Sequence, residues 1–383
     1  MLGWGAALAA AALADGHNHR MADKHIPTAA LRRWVEELWL AAGCDADEAR
    51  LTAEHLIGAN LAGHDSHGVG MVPRYVSSWL ANELQLNQHV AIGSDSGAML
   101  SLDANRGMGQ SMAYEAMNLA IERAKKHGVC VMGLKNAHHI GRIGHWAEQA
   151  VAAGLVSVHF VNAMSKPVVA PFRGSEARYV TNPFTVGIPV PGREPMLLDF
   201  ATSAIAMGKV RVAYNSQKLV PGNVLMDAAG EYTDDPVALF PPAGQPGGAL
   251  VPFAQHKGYA LAMVVEVLAA ALTGGETTRP GNLKYQHAVW NNMLAMVFDP
   301  ARLNDQQLFS AEVNAFVEWV QSARLRDAAE PILMPGDPER ASRKARAERM
   351  PVDEGTLAEL DAAAAAVNRA RGAALPTLSS LAL

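Results

Sequence analysis

An α/β fold with a separate helical unit is the architecture that this sequence predicts. Three observations predict it. The first eighty residues show only helical periodicity. From about residue 110, helical and strand patterns alternate, the mark of an α/β unit. And no Gly-x-Gly-x-x-Gly follows a strand and opens a helix, so an ordinary dinucleotide-binding βαβ unit is excluded.

The elements follow in order. Leu31, Trp34, Val35, Leu38 and Trp39 recur at helical spacing over 27–42, with Thr28 as a cap. Leu51, His55, Leu56 and Ala59 repeat the pattern over 45–62. Val72, Tyr75, Val76, Trp79 and Leu80 mark a third helix. Helices at 110–127 and 143–153 alternate with apolar strands at 129–134 and 155–161. Short strands are expected at 184–189 and 196–200, and 215–248 reads as a long irregular segment. Loops of that length tend to be functional. The stretch 257–273 is apolar nearly all round and reads as a buried core helix. A strand at 292–298, an amphipathic helix at 310–323, a turn at 333–339 and a last helix at 353–371 complete the chain.

Composition narrows the function classes. The chain has 383 residues, half of them hydrophobic, which is enough for two units with real cores. The net charge of -5 and the lack of a Lys/Arg run argue against a nucleic-acid partner. Two cysteines cannot make a disulfide framework or a cysteine zinc site, and they suit a reducing, cytoplasmic compartment. No basic residue precedes the apolar run at 2–14. Residues 1–24 are therefore read as an extension, with Met21 as an alternative start. Nothing elsewhere is long and apolar enough to suggest a membrane span.

Five constellations carry chemistry. The first is Gly63-His64-Asp65-Ser66-His67-Gly68-Val69-Gly70-Met71-Val72-Pro73-Arg74-Tyr75, held between two helices. His67 is the side chain best suited to exchanging a proton near neutral pH. Asp65 or Ser66 could equally cap the next helix. The second is Asn136 to His145, with His138, His139 and His145 around Gly141-Arg142. Adjacent histidines rarely ligate one ion, so no metal is expected. A helix start after Gly141 could hold an anion, with Arg142 assisting. The third joins Lys166 to Thr181-Asn182-Pro183, which can bind a polar carboxylate or cap turns. In the fourth, Asp199 is a carboxylate inside an apolar strand and needs a partner, for which a histidine would serve. The fifth is His256-Lys257-Gly258-Tyr259 at a helix start, suited to a phosphate. A serine hydrolase built on Ser66, His67 and Asp199 is disfavoured, because adjacent Ser and His cannot readily form the nucleophile–base bond.

In this order these pieces resemble the malate/L-lactate dehydrogenase family of NAD(P)-dependent oxidoreductases that lack a Rossmann fold. The resemblance runs from Thr28 to the C-terminus through Ser66-His67-Gly68, Pro73-Arg74-Tyr75, Asn136 to Gly141, Gly174, Thr181-Asn182-Pro183, Leu198-Asp199, Ala201-Thr202-Ser203, His256 to Tyr259, and Pro335-Gly336 with Glu339. It implies a helical domain built from both chain ends (25–95 plus 325–383) and a non-Rossmann α/β cofactor-binding domain (96–324). It implies a homodimer, NAD or NADP, and a small 2-hydroxy or 2-oxo carboxylate as substrate. His67 would be the proton donor, with Ser66 and Asp199 supporting it, and His139 competes for that role. Arg74, Lys166, Thr181 and Arg142 fall to the substrate. Pro195, Met196, Leu197, Leu198, Asp199, Phe200, Ala201, His256, Lys257, Gly336, Asp337 and Glu339 fall to the cofactor. Several relatives carry an arginine four residues after the catalytic histidine, where this chain has Met71. A cyclic imino acid, a sugar-derived 2-oxo acid, or a non-catalytic dinucleotide-binding role are the alternatives.

Overall fold

The structure, a computed structural model, describes residues 24–381 apart from Ser216 and Ala243. The apolar run at 2–14 and Met21 lie outside the described residues. The chain opens with β1 (Lys24–Pro27), α1 (Thr28–Ala42), α2 (Ala46–Leu61) and α3 (Val72–Leu80). Asp45 caps α2 by accepting from the Glu48 amide at 2.8 Å. Thr28 does not cap α1; its hydroxyl donates to the carbonyl of Arg346. Next come β2 (Ala91–Asp95), β3 (Met99–Asp103), α4 (Gly109–His127), β4 (Val129–His138), α5 (Gly144–Ala152) and β5 (Val156–Met164). After β6 (Pro183–Ile188) and β7 (Met196–Ala201) stands α6 (Met207–Asn215), which the sequence pattern did not signal. The expected irregular segment holds short strands β8 (Leu225–Met226) and β9 (Tyr232–Thr233), which join β10 (Ala249–Leu250) in a small sheet. The chain closes with α7 (His256–Glu266), β11 (Trp290–Phe298), α8 (Gln306–Gln321), α9 (Asp337–Arg346), β12 (Arg349–Val352) and α10 (Glu354–Arg371).

The fold is mixed α/β, as the sequence predicts. The main sheet has the order β2-β3-β4-β11-β5-β6-β7. Only β3 and β4 pair in parallel; the other neighbours are antiparallel. β11 lies at the centre, apolar on both faces, which is why it is buried along nearly its whole length. α4 and α5 cover one face through Met112, Met117, Ile143 and Trp146. α7 and the turn after it cover the other through Val265 and Ala269, against Phe160 and Leu294. A separate core joins α1, α2, α3 and α10 around Trp34, Trp39, Leu56, Tyr75 and Leu360. β1 and β12 pair there, so the two ends of the described chain meet.

Two expectations are corrected. The apolar helix at 257–273 is not buried all round: Met263, Val264, Val267 and Leu272 are exposed. Apolar periodicity reports what avoids water, and an interface face avoids it as a core does. The strand expected at 129–134 also runs on to His138. It does so through a bulge, with Asn136 at φ 57° and the β4–β11 register shifting between Asn291 and Met293. The Asn136 amide is satisfied by the Asn292 side chain at 3.0 Å. A bulge re-aims the residues that follow it, and here these are His138 and His139.

Candidate active site

The turn after α2 is fixed before any chemistry is added. Asn60 accepts from the Val69 amide and donates to Asp65 at 2.6 Å. Arg346 on α9 grips the same Asp65 carboxylate with two nitrogens, at 2.7 and 3.1 Å. Gly68 lies so close to Asn60 that a Cβ there would sit 2.1 Å from its side-chain oxygen. Neither Asp65 nor Ser66 caps α3, contrary to that alternative; Asp65 is spent on holding the turn. His64 ties it to α9 through Glu339 at 3.1 Å.

This rigid turn presents His67. Its Nδ1 lies 3.0 Å from the Ser66 hydroxyl. Its ring stacks on that of His139, with centroids 5.6 Å apart and planes 19° apart. Burial, with His64 and Arg142 adding to it and Asp199 opposing, lowers His67 to about 4. Burial also lowers His139 well below its ordinary value, reinforced by His67, His138 and Arg74. Both imidazoles are therefore neutral at pH 7, as two cations could not share this space.

His139 has an anchor that the sequence did not reveal. The Tyr75 hydroxyl lies 2.6 Å from His139 Nδ1, and the Gln110 amide donates to the same hydroxyl at 3.0 Å. The same hydroxyl lies 3.4 Å from the His139 carbonyl, so Nδ1 at 2.6 Å is the nearer acceptor for its proton. A hydroxyl proton given to Nδ1 leaves the His139 proton on Nε2. His138, fully buried between the edges of Tyr75 and Trp290, is lowered to about 3 by burial and then by Arg74. It belongs to the packing around the site. Gly109 at the start of α4 touches the His138 and His139 carbonyls, where a Cβ would come within 2.2 Å.

Asp199 does not touch His67. One oxygen accepts from the Gly144 amide and the other from the Thr185 hydroxyl, both at 2.8 Å. It thus occupies the N-terminus of α5, the place expected to hold an anion. Its charge reaches His67 only through space. Arg142, expected at the substrate, is 2% exposed. It pairs with Glu148 at 2.6 Å and stands 4.0 Å from Asp199. The start of α5 is packed against His55, which accepts from the Arg142 amide, so this guanidinium faces inward. Arg74 is on α3 with its Nε donating to the His287 carbonyl at 3.0 Å. Lys166 is exposed beyond β5. Thr181 is partly buried and its carbonyl accepts from the Thr202 amide.

The residues expected at a dinucleotide gather along β7, the outer strand of the sheet. At its start, Pro195, Met196, Asp337 and Arg340 line a cavity of about 240 Å³. Arg340 donates to the Pro195 carbonyl and pairs with Asp337 at 2.6 Å. Gly336, at φ 96°, lets α9 begin against Leu197, and the Leu197 amide donates to Pro335. Leu198 is exposed on the open edge. At the far end Phe200 meets Phe253 edge-on, just before α7, where His256 and Lys257 are exposed. An open strand edge with a cavity at one end and a cationic helix start at the other fits an extended, anionic dinucleotide. Two of the expected residues point elsewhere, Glu339 to His64 and Asp199 to Gly144 and Thr185. Among the described residues no cluster of His, Cys, Asp or Glu has the arrangement to hold a metal ion.

The fold, the outer strand and the paired histidines define an oxidoreductase-type site. The malate/L-lactate dehydrogenase family model matches residues 26–361, so this chain belongs to that family. The chain is 45% identical to hydroxycarboxylate dehydrogenase B of Escherichia coli, over 85% of this chain and 90% of that protein. It is 35% identical to L-lactate dehydrogenase of Cupriavidus necator, over 88% of this chain and 96% of that one. A solved structure of a candidate malate/lactate dehydrogenase from E. coli superposes with a TM-score of 0.87 at 42% identity, covering 96% of this chain and 98% of the other.

Proposed function

We propose that this protein moves a hydride between the nicotinamide of NAD or NADP and C2 of a small 2-hydroxy or 2-oxo acid. The stacked pair of neutral histidines carries this reading, one ring held by Ser66 and the other by Tyr75. The names of the relatives support the substrate class. A bound nicotinamide supplies or accepts the hydride, and Pro195 to Ala201, His256, Lys257, Gly336 and Asp337 are the residues that would hold the dinucleotide. The chain itself handles the proton. His67 gives one to the C2 oxygen in reduction and recovers it in oxidation. His139, with Nε2 protonated, offers a hydrogen bond to the same oxygen. Ser66 orients His67, and Asp199 favours its charged form from a distance. An anionic substrate beside His67 raises its affinity for a proton, so the acid form is reached with substrate in place. Arg74, Lys166 and Thr181 are assigned to the substrate side.

The same reading includes a homodimer in the cytoplasm. The apolar stripe of Met263, Val264, Val267 and Leu272, left bare on α7 and the turn after it, supports a subunit contact. Cys44 and Cys130 are buried free thiols, which suit a reducing compartment. No described helix is long and apolar enough to cross a membrane.

The test is a panel of 2-oxo acids and cyclic imino acids, each offered with NADH and with NADPH, followed by dinucleotide absorbance. Acid-dependent oxidation of one dinucleotide is the expected result. Saturable quenching of tryptophan by NADH without turnover of any acid would replace this reading with dinucleotide binding alone.

A further inference from the structure

The residue four positions after His67 is Met71, which packs against the helical core and offers no charge. A 2-oxo acid carries a carboxylate on the carbon next to the reacting carbonyl. A cation must therefore face the histidine pair from somewhere else. α6 lies directly on the His67 turn. A Cβ at Gly208 would fall 2.4 Å from the Ser66 Cβ, so only glycine lets the helix come this close. Arg211 follows at i+3, on the same face of α6 as Gly208. Its side chain is exposed and has no carboxylate within 4.0 Å among the described residues.

Arg74 approaches from α3. It too has no carboxylate within 4.0 Å among the described residues. Its Nε is spent on the His287 carbonyl, and neither terminal nitrogen has a hydrogen-bond partner among the described residues. Partial enclosure of its head group lowers the Arg74 pKa, with the charge of Arg211 adding to it and Tyr75 and Glu83 opposing. The two guanidinium groups thus feel one another, and Glu83 offsets them only from beyond ion-pair distance. Like charges held together this way are stabilised by an anion that accepts from both.

We propose that Arg211, carried on α6, is a specificity-determining residue that clamps the substrate carboxylate together with Arg74. This supplies the cation that Met71 does not. The inference rests on the reading of the protein as an oxidoreductase of 2-oxo acids.

The experiment compares wild type, Arg211→Gln and Arg211→Lys with a 2-oxo acid and with the amide of the same acid. KM for the acid is expected to rise about ten- to a hundredfold in Arg211→Gln, the weight of a hydrogen bond to a charged group, with kcat changing less. Arg211→Lys restores part of it. Constants for the amide, which has no charge to clamp, stay at their wild-type values, and so does NADH affinity measured by fluorescence. Wild-type turnover with an unchanged KM in Arg211→Gln would overturn the clamp alone, as would equal losses for acid and amide. No turnover of any 2-oxo acid by wild type would overturn the functional reading and the clamp with it.

Discussion

His67 and His139 hold their charges suppressed, whereas Arg74 and Arg211 carry charges that no ion pair answers among the described residues. The histidines are set by hydrogen bonds with Ser66 and Tyr75 and by burial that keeps both rings neutral. The arginines come from two helices, one of them packed on the turn at Ser66, with no acid within 4.0 Å among the described residues. The floor of the site is thus complete in the chain as it stands, and the rim is completed by a ligand. Preorganised dipoles suit the reacting oxygen, whose charge changes during reaction; unpaired cations suit a carboxylate, whose charge does not. Chemistry and specificity then lie in different residues and are separable by mutation.

The floor breaks first at His67. His67→Ala should lower kcat by about two to four orders of magnitude, the usual weight of a general acid–base group. His139→Ala should cost less, about ten- to a hundredfold, because it removes a hydrogen bond to developing charge and leaves the proton donor in place. Steady-state rates of the two variants assayed side by side test the ranking. A larger loss for His139→Ala would exchange their roles. Tyr75→Phe should cost about tenfold or less, since the tautomer of His139 is freed while the ring remains. Its effect should nearly vanish in a His139→Ala background, as a double-mutant cycle would read.

A smaller effect concerns stability. Burial holds His67 and His145 to about 4, His159 to about 4 and His138 to about 3 in the folded chain. The unfolded chain takes up these protons near 6.5, so below that pH it binds more protons than the folded state. Stability should therefore fall as pH drops from about 6.5 toward 4. Melting temperature measured at about pH 7 and about pH 5 should be lower at the acid value. An unchanged value would mean that these rings are not held neutral.

Much of the floor was legible because it is local. Ser66-His67-Gly68 sits between two strongly periodic helices, and α2 begins where the pattern over 45–62 places it. What escaped is non-local. Tyr75 and His139 are 64 positions apart, and nothing in either segment announces their bond. Asp199 was correctly read as needing a partner, but the partners are a backbone amide and Thr185. Arg142 looks available in sequence because loop arginines usually are, and only packing turned it inward. α6 was missed because Val210, Val212 and Tyr214 alternate like a strand. The helix instead seats Val210 in a buried cluster with Val169 and Tyr179 and brings Gly208 against Ser66. The rim was hidden for the same reason.

The central claim is that a neutral His67 is the acid–base group. It is tested most directly by the pH dependence of kcat/KM for hydroxy acid oxidation, which requires His67 unprotonated in the free enzyme. The account predicts a level profile from neutral pH down through the usual histidine range, bending at about 4, with that limb absent from the residual activity of His67→Ala. An acid limb near the ordinary histidine value of about 6.5, or the same limb surviving in His67→Ala, would contradict it.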